Sequence, residues 1–451
     1  MASIAYALDR IKRDPLSLLD RRTIERICRE HHHLWRERQL DPAATVALFI
    51  QQILHGNVPC TEVRHLAGSA PGFTAQAYCD ARARLPLGVY NDLFSSVCDA
   101  VFSQTRHADQ LWRGHRTFLI DGSTFSMPDT PELRKAFGTP SGQAPGCGFP
   151  VAHLLVLFNA QTGLLLDAWA SRYRTADLLH TPEAHLHLDE GDVLLGDDSF
   201  SGYAHLALLV QAKLHGLFPV HHLRRVDFTK GRPHSPEGKT AVAGMVRSRW
   251  IKSLGKEDQL VEYFKPNQRP LWMDAESHQA LPESIVVREL RRTVRRPGLG
   301  HVTLTMVTTL LDPVKYPASD LLELRLRRWD VETDLRHLKT TMGLDVLHCK
   351  TEAGVRKELA VFCLVYNLVR TVMLEASRRQ EVAVRQISFA DTLKWLRHAR
   401  SGDRMPDLVV NRHRPSRLEP RCCKRRPKEY DLMNKPRDVL RRRLTEQAKN
   451  A

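Results

Sequence analysis

The chain has no hydrophobic run long enough to cross a bilayer. The longest, AVFCLVYNLV at 360–369, is about half of the ~20 residues that a transmembrane helix needs. The opening MASIAYALDRIKRDP lacks the apolar centre of a signal peptide. Its nine cysteines are an odd number and none stands in C-x-x-C spacing; the adjacent Cys422 and Cys423 cannot act as two spaced ligand pairs. No internal repeat or low-complexity tract is present. These absences speak against a membrane protein, a disulfide framework and a zinc knuckle, and a reducing, cytoplasmic setting is expected.

What the chain has is positive charge. Lys and Arg number 67 against 51 Asp and Glu, a net +16, which points to a polyanionic partner rather than to any one fold. Residues 411–451 hold fourteen Lys or Arg and five Asp or Glu, a net +9 and over half of the total. At 451 residues the chain is long enough for two or three domains.

Residues 1–105 read as helical, with Val46, Phe49, Ile50 and Ile53 at helical spacing, and are expected to form a small separate domain. Short β-type runs follow at 117–121, 151–158, 164–170 and 193–197, with NAQTG at 159–163 as a hairpin turn. A helix at 202–214 and a strand at LFPVHHL complete an α/β core over 106–223. QLVEYF, SIVVREL and HVTLTMVTTLL make 224–316 a β-rich insertion. The pattern turns helical at 318–342 and 355–376, within a second core segment at 317–380, before the basic C-terminal region 381–451.

Asp121 and Asp197 each close an apolar strand, where a carboxylate projects at the sheet's carboxyl edge. Arg328, Glu332, Arg336 and Lys339 stand at i, i+4, i+8 and i+11, within roughly 80° of arc on one helix. Val331, Leu335, Leu338 and Met342 run beside them, so the helix can pack on the sheet with Glu332 facing the two aspartates. Three converging carboxylates suit hard divalent cations, and a pair of such ions supports phosphoryl transfer. Taken singly, each aspartate is more simply a turn or cap residue, and the charged stripe a solvated face with pairs worth ~0.2–0.5 kcal/mol. Trp329 reads as a core residue. His31, His32 and His33 read as a solvated helical face, having no ligand partner at finger-like spacing.

In their order and intervals these motifs resemble the bacterial DDE transposases of the insertion-sequence four type. LIDGSTFSMPD at 119–129 is similar to the family's first Asp motif, LLGDDSF at 194–200 to its second and RWDVETDLRHLK at 328–339 to its third. Arg328, Glu332 and Lys339 match the YREK signature, with Arg325 in place of its Tyr, and YNLVR at 366–370 and ARARLP at 81–86 extend the likeness. Asp198 stands where the family often has a basic residue.

The resemblance implies an RNase H-like mixed sheet with helices, interrupted by the β-rich insertion and flanked by N-terminal and C-terminal helical regions. It implies catalysis and metal binding by Asp121, Asp197 and Glu332, with two Mg2+ or Mn2+ ions. DNA contacts are expected from Arg328, Arg336, Lys339 and Arg325, and base stacking in a hairpin intermediate from Trp272 or Trp250. The expected partners are double-stranded DNA, both transposon terminal inverted repeats and target, and a second protomer in a synaptic complex near the nucleoid. The competing class is a non-catalytic DNA-binding regulator or an inactive relic.

Both classes make one shared prediction from charge. Affinity for duplex DNA of arbitrary sequence should fall steeply and linearly on a log–log plot as salt rises from about 50 to 200 mM. A salt-independent binding constant, measured by fluorescence anisotropy, would remove the polyanion reading.

Overall fold

Apolar runs that read as separate strands in the sequence join into one nine-stranded sheet. A computed structural model of the protein describes residues 19–67, 72–104, 111–140, 146–233, 246–296, 300–399, 405–411 and 435–449. The basic segment RCCKRRPK and the first residues of the chain lie outside the described residues. Strands β1 (Thr117–Ser126), β2 (Val151–Asn159), β3 (Leu165–Arg172), β4 (Val193–Leu195) and β5 (His215–Pro219) form one half of the sheet, and β6 (Ser248–Gly255), β7 (Asp258–Phe264), β8 (Ser284–Arg296) and β9 (Gly300–Thr308) the other. Their order is β3-β2-β1-β4-β5-β9-β8-β7-β6. Strands β1, β2 and β3 are antiparallel, whereas β4 is parallel to β1 and β5 to β4.

The strands of the insertion are therefore not a separate sheet. Strand β9 pairs antiparallel with β5 from Leu217↔Thr308 to Pro219↔Met306, so the insertion extends the core sheet sideways. Strand β6, in which Trp250 and Ile251 are adjacent and break any apolar–polar alternation, was not legible as a strand and forms the outer edge. A buried Arg288–Asp258 ion pair holds β8 to β7, its Arg288 Nη2 lying 2.6 Å from Asp258 Oδ2.

Five helices precede the sheet: α1 (Arg21–Glu30), α2 (Pro42–Leu54), α3 (Cys60–Leu66), α4 (Ala75–Arg84) and α5 (Leu87–Gln104). Asp20, Asp41 and Thr74 cap α1, α2 and α4, accepting the orphan N–H groups of their first turns. Short helices α6 (Pro131–Phe137), α7 (Thr181–His185), α8 (Tyr203–Gln211) and α9 (Ala275–Ala280) lie between strands. After β9 come α10 (Ala318–Leu326), α11 (Trp329–Arg336), α12 (Glu352–Arg379), α13 (Phe389–His398) and α14 (Arg437–Lys449).

The described helices of residues 1–105 share a core with the sheet. Ile27, Phe49, Ile53 and Leu93 belong to the same buried cluster as Phe158 of β2 and Phe362 and Val369 of α12. Helix α12 causes this merger, because it packs against α5 and α2 on one side and β3 on another. It is long and apolar enough to cross a membrane by composition, yet most of its apolar stretch is buried inside the fold. Polar ties reinforce the docking: Asn57 Nδ2 donates to Glu358 at 2.5 Å, and Lys357 Nζ donates to the Ala83 carbonyl at 2.8 Å.

The YNLVR segment of α12 locks three elements together. Asn367 exchanges two hydrogen bonds with the backbone of Leu165, at 2.9 and 2.8 Å, and Tyr366 donates to the Gly163 carbonyl at 3.0 Å. Arg370 donates to the Tyr366 hydroxyl and forms a fully buried ion pair with Asp334 of α11. Arg385 approaches the other oxygen of Asp334 at 3.4 Å and pairs with Asp330 at 3.1 Å. Gly163 has φ of +72° in the NAQTG turn, and a Cβ there would meet the Arg370 guanidinium at 2.8 Å. The turn thus requires glycine for both its backbone and its neighbour.

Removing one member of a buried ion pair leaves the other charge unanswered and typically costs about 3–5 kcal/mol. Asp334→Ala should lower stability by about that much in urea unfolding, while Asp334→Leu combined with Arg370→Met should lose clearly less. Equal losses in the two proteins would show that the pair does not act as a unit.

Candidate active site

Strand register brings the first two acidic positions level. Strands β1 and β4 run parallel with Thr117 opposite Val193 and Leu119 opposite Leu195, so Asp197, two residues past Leu195, stands level with Asp121, which lies in the middle of β1 and does not close it, because that strand runs on against β2 to Ser126. Asp197 accepts from the Ser199 backbone N–H at 2.9 Å and from its hydroxyl at 2.5 Å, capping the 3-10 turn Asp198–Ser201. Its neighbour Asp198 turns elsewhere: its Oδ2 lies 3.3 Å from the His222 N–H and 3.4 Å from His222 Nδ1.

Glu332 is brought to the same place by α11. Arg328, at the N-terminal end of that helix, reaches Asp121 Oδ2 at 3.4 Å and Glu332 Oε1 at 2.7 Å, bridging the first and third acidic residues. Val331 and Leu335 are buried beneath the helix, which fixes the face that Glu332 and the exposed Arg336 present. The stripe read from sequence as one regular helix is interrupted at both ends. Helix α10 stops at Leu326, and His337–Thr341 is a π-helical turn. Such turns widen the helix locally and are frequent at functional sites. On it Lys339 donates to Ser123 Oγ at 2.9 Å and lies 3.3 Å from Asp345, which ties it back to β1.

Electrostatics set Asp121 apart. Burial pushes its carboxyl up to about 6; Arg328 pulls it back, whereas Asp197 and Asp177 push it further. Asp177 was not legible in the sequence, since its segment TADLLH ends no strand. It lies so close to Gly122 that a Cβ there would meet its Oδ1 at 2.3 Å. His153 of β2 holds it through Nε2 at 2.5 Å. Gly122 is thus the residue that lets Asp177 approach, and the only sequence clue was that glycine follows Asp121.

Three expected DNA contacts are placed differently. Arg325 is buried in the last turn of α10 rather than aligned with Arg336, because that helix ends before the stripe begins. Trp250 lies on β6, six strands from β1, about 29 Å at 4.8 Å per strand. Trp272 packs against the cluster containing Phe200 and Tyr203, the residues that follow Asp197. Trp329, read as a core residue, is instead 45% exposed, with the Arg328 guanidinium 5.7 Å from its ring. Residue 329 begins α11 on its solvent side, whereas Val331 takes the inward position.

The donor set fits divalent cations. Asp121, Asp197 and Glu332 offer hard oxygen ligands, and Asp177 adds charge nearby, while Arg328 alone bridges Asp121 and Glu332. Excess negative charge at a partly buried sheet edge is what a bound cation would relieve.

The protein is thus a mixed α/β fold in which two carboxylates on neighbouring parallel segments and a third on a following helix gather at one place. The family model for the transposase DDE domain matches residues 112–368, more than half of the chain. The chain belongs to the DDE transposase family. It is 26% identical over 387 residues to the transposase InsG for insertion sequence element IS4 of Escherichia coli K12, covering 81% of this chain and 80% of that protein. A putative transposase InsZ of the same organism is 27% identical over 177 residues, covering 38% of this chain and 57% of the relative. Among solved structures, the piggyBac transposase synaptic complex with hairpin DNA aligns with a TM-score of 0.45 and 10% identity, over 86% of this chain and 80% of that one.

Asp121 yields a pH-dependent prediction. A carboxyl raised in the fold from 3.8 to about 6 binds its proton more tightly folded than unfolded, so stability falls as pH rises through that window. Above it, the ionised group costs on the order of 3 kcal/mol in the absence of metal. Asp121→Asn should therefore raise the metal-free unfolding temperature at pH 7.5 and give little gain at pH 4. A gain of the same size at both pH values in calorimetry would contradict the assignment.

Proposed function

We propose that this transposase uses Asp121, Asp197 and Glu332 to bind two Mg2+ or Mn2+ ions and cleave and join DNA at transposon ends. The observation that carries this reading is the level placement of Asp121 and Asp197 on parallel strands, with Arg328 bridging Asp121 to Glu332. Bound divalent ions would supply an activated attacking oxygen and neutralise charge on the phosphodiester leaving group.

The chain's own residues would position that substrate. Arg336 is exposed beside Glu332, and Lys339 stands across the π-helical turn near Ser123. Both can engage phosphate oxygens, Arg through a planar fork and Lys as a point charge. Arg328 can exchange its carboxylate contacts for a phosphate once metal neutralises Asp121. The exposed face of Trp329, next to Arg328, gives an unpaired base a surface to stack on beside the carboxylates, as a hairpin intermediate requires. Trp272 is the alternative stacking residue, on the Asp197 side.

Hydrolysis frees a 3′-hydroxyl, which then attacks either the opposite strand or target DNA at the same carboxylates. Two protomers would pair two terminal inverted repeats in a synaptic complex, in the bacterial cytoplasm at the nucleoid. The basic surface provides sequence-independent grip on the flanking duplex.

The test is end cleavage of linear DNA carrying the element's own termini, with Mg2+ or Mn2+. Wild type should nick and join these ends, whereas Asp121→Ala, Asp197→Ala and Glu332→Ala should each lose at least about 1,000-fold in rate, roughly 4 kcal/mol of transition-state stabilisation. DNA binding should survive in all three. Binding without cleavage by wild type under both metals would favour the regulator reading.

A further inference from the structure

We infer that Asp198, His221 and His222 form a second divalent-cation site, beside the carboxylate site and selective for a borderline transition ion of the Zn2+ kind over Mg2+. One ligand atom from each of the three lies within 4.8 Å of the other two. The three come from two segments, the 3-10 turn Asp198–Ser201 and the chain leaving β5. Ligands sharing one ion tetrahedrally at ~2.0–2.2 Å stand about 3.3–3.6 Å apart, roughly 1.2–1.5 Å closer than that limit. His222 is exposed, and a rotation of its side chain can close that gap.

The two segments are already held together without an ion. Arg224 Nη1 donates to the Ser201 carbonyl at 2.7 Å, and Ser201 Oγ donates to the Asp198 carbonyl at 2.8 Å. Among the described residues, the Asp198 carboxylate has long contacts to His222 alone, at 3.3 and 3.4 Å. Two neutral imidazoles and one carboxylate prefer Zn2+, Fe2+, Co2+ or Ni2+, whereas carboxylates alone suit Mg2+ and Mn2+. Three protein ligands leave further positions for water.

The sequence feature behind this is the pair Asp197–Asp198. Adjacent carboxylates can compete for one role, but Asp197 caps the turn on the Asp121 side while Asp198 faces the histidines. An ion on Asp198 would stiffen the turn that Asp197 caps, so occupancy of the second site would position the first. The site itself does not depend on the proposed roles of Asp121, Asp197 and Glu332, and its test reads metal binding rather than cleavage.

The experiment titrates Co2+ into metal-free full-length protein in excess Mg2+, following visible d–d absorption, with Zn2+ calorimetry in parallel. One equivalent should bind, unchanged in Glu332→Ala and in the combined His31→Ala, His32→Ala and His33→Ala protein. His222→Ala and Asp198→Asn should each weaken it by about 10-fold or more, and should abolish the rise in unfolding temperature caused by Zn2+. Thermal unfolding without metal checks that both variants fold. No imidazole-bound Co2+ in wild type, retention of full affinity in both variants, or loss with the His31–His33 run would each overturn the inference.

Discussion

A guanidinium that water cannot reach must have its charge answered inside the fold, and Arg370 is answered by Asp334. The pair joins the longest helix of the chain to the helix that carries Glu332. Neither partner is replaceable by a surface contact, since both are fully buried. Through Tyr366 and Asn367 the same helix also holds the β2–β3 hairpin, so sheet and site helix are fixed against one scaffold. The geometry of the three carboxylates depends on this arrangement: β1 and β4 place Asp121 and Asp197, but only α11, clamped by Asp334, brings Glu332 up to them.

The site is assembled at the edge of what burial permits. Asp121 lies deep enough for its ionised form to be costly, and Arg328 offsets only part of this. Under the proposed metal role, such a deficit makes ion binding and charge neutralisation the same event. The π-helical turn at 337–341 and the close approach of Asp177 over Gly122 are further departures from regular structure, and both lie against β1.

Much of this was legible in the sequence where period and punctuation agreed. The apolar runs leading to Asp121 and Asp197, the NAQTG turn and the two long strands of the insertion were readable from alternation and turn residues, but Gly122 and the polar residues after it hid that β1 runs on to Ser126. Strand β6 was not, because its apolar residues Trp250, Ile251 and Leu254 do not alternate cleanly with polar ones. The break at Arg327 and the π-helical turn left no local signal, since residues 327–341 contain neither proline nor glycine. Trp329 misled for a related reason: hydrophobicity named it as core, but the neighbouring Val331 took the inward position. Asp177 depended on contacts between segments over fifty residues apart, which no reading of one strand end can supply.

Gly163 carries a consequence outside the chemistry. It lies in a tight turn remote in sequence from Asp121, Asp197 and Glu332, yet its missing side chain makes room for the Arg370 guanidinium. In a genetic screen for lost transposition, damage at this turn would sort with damage at the carboxylates although no ligand had changed. A map of essential positions drawn from such a screen would trace the internal scaffold of the enzyme as faithfully as its reactive centre, and decayed copies of the element could fall silent by either route.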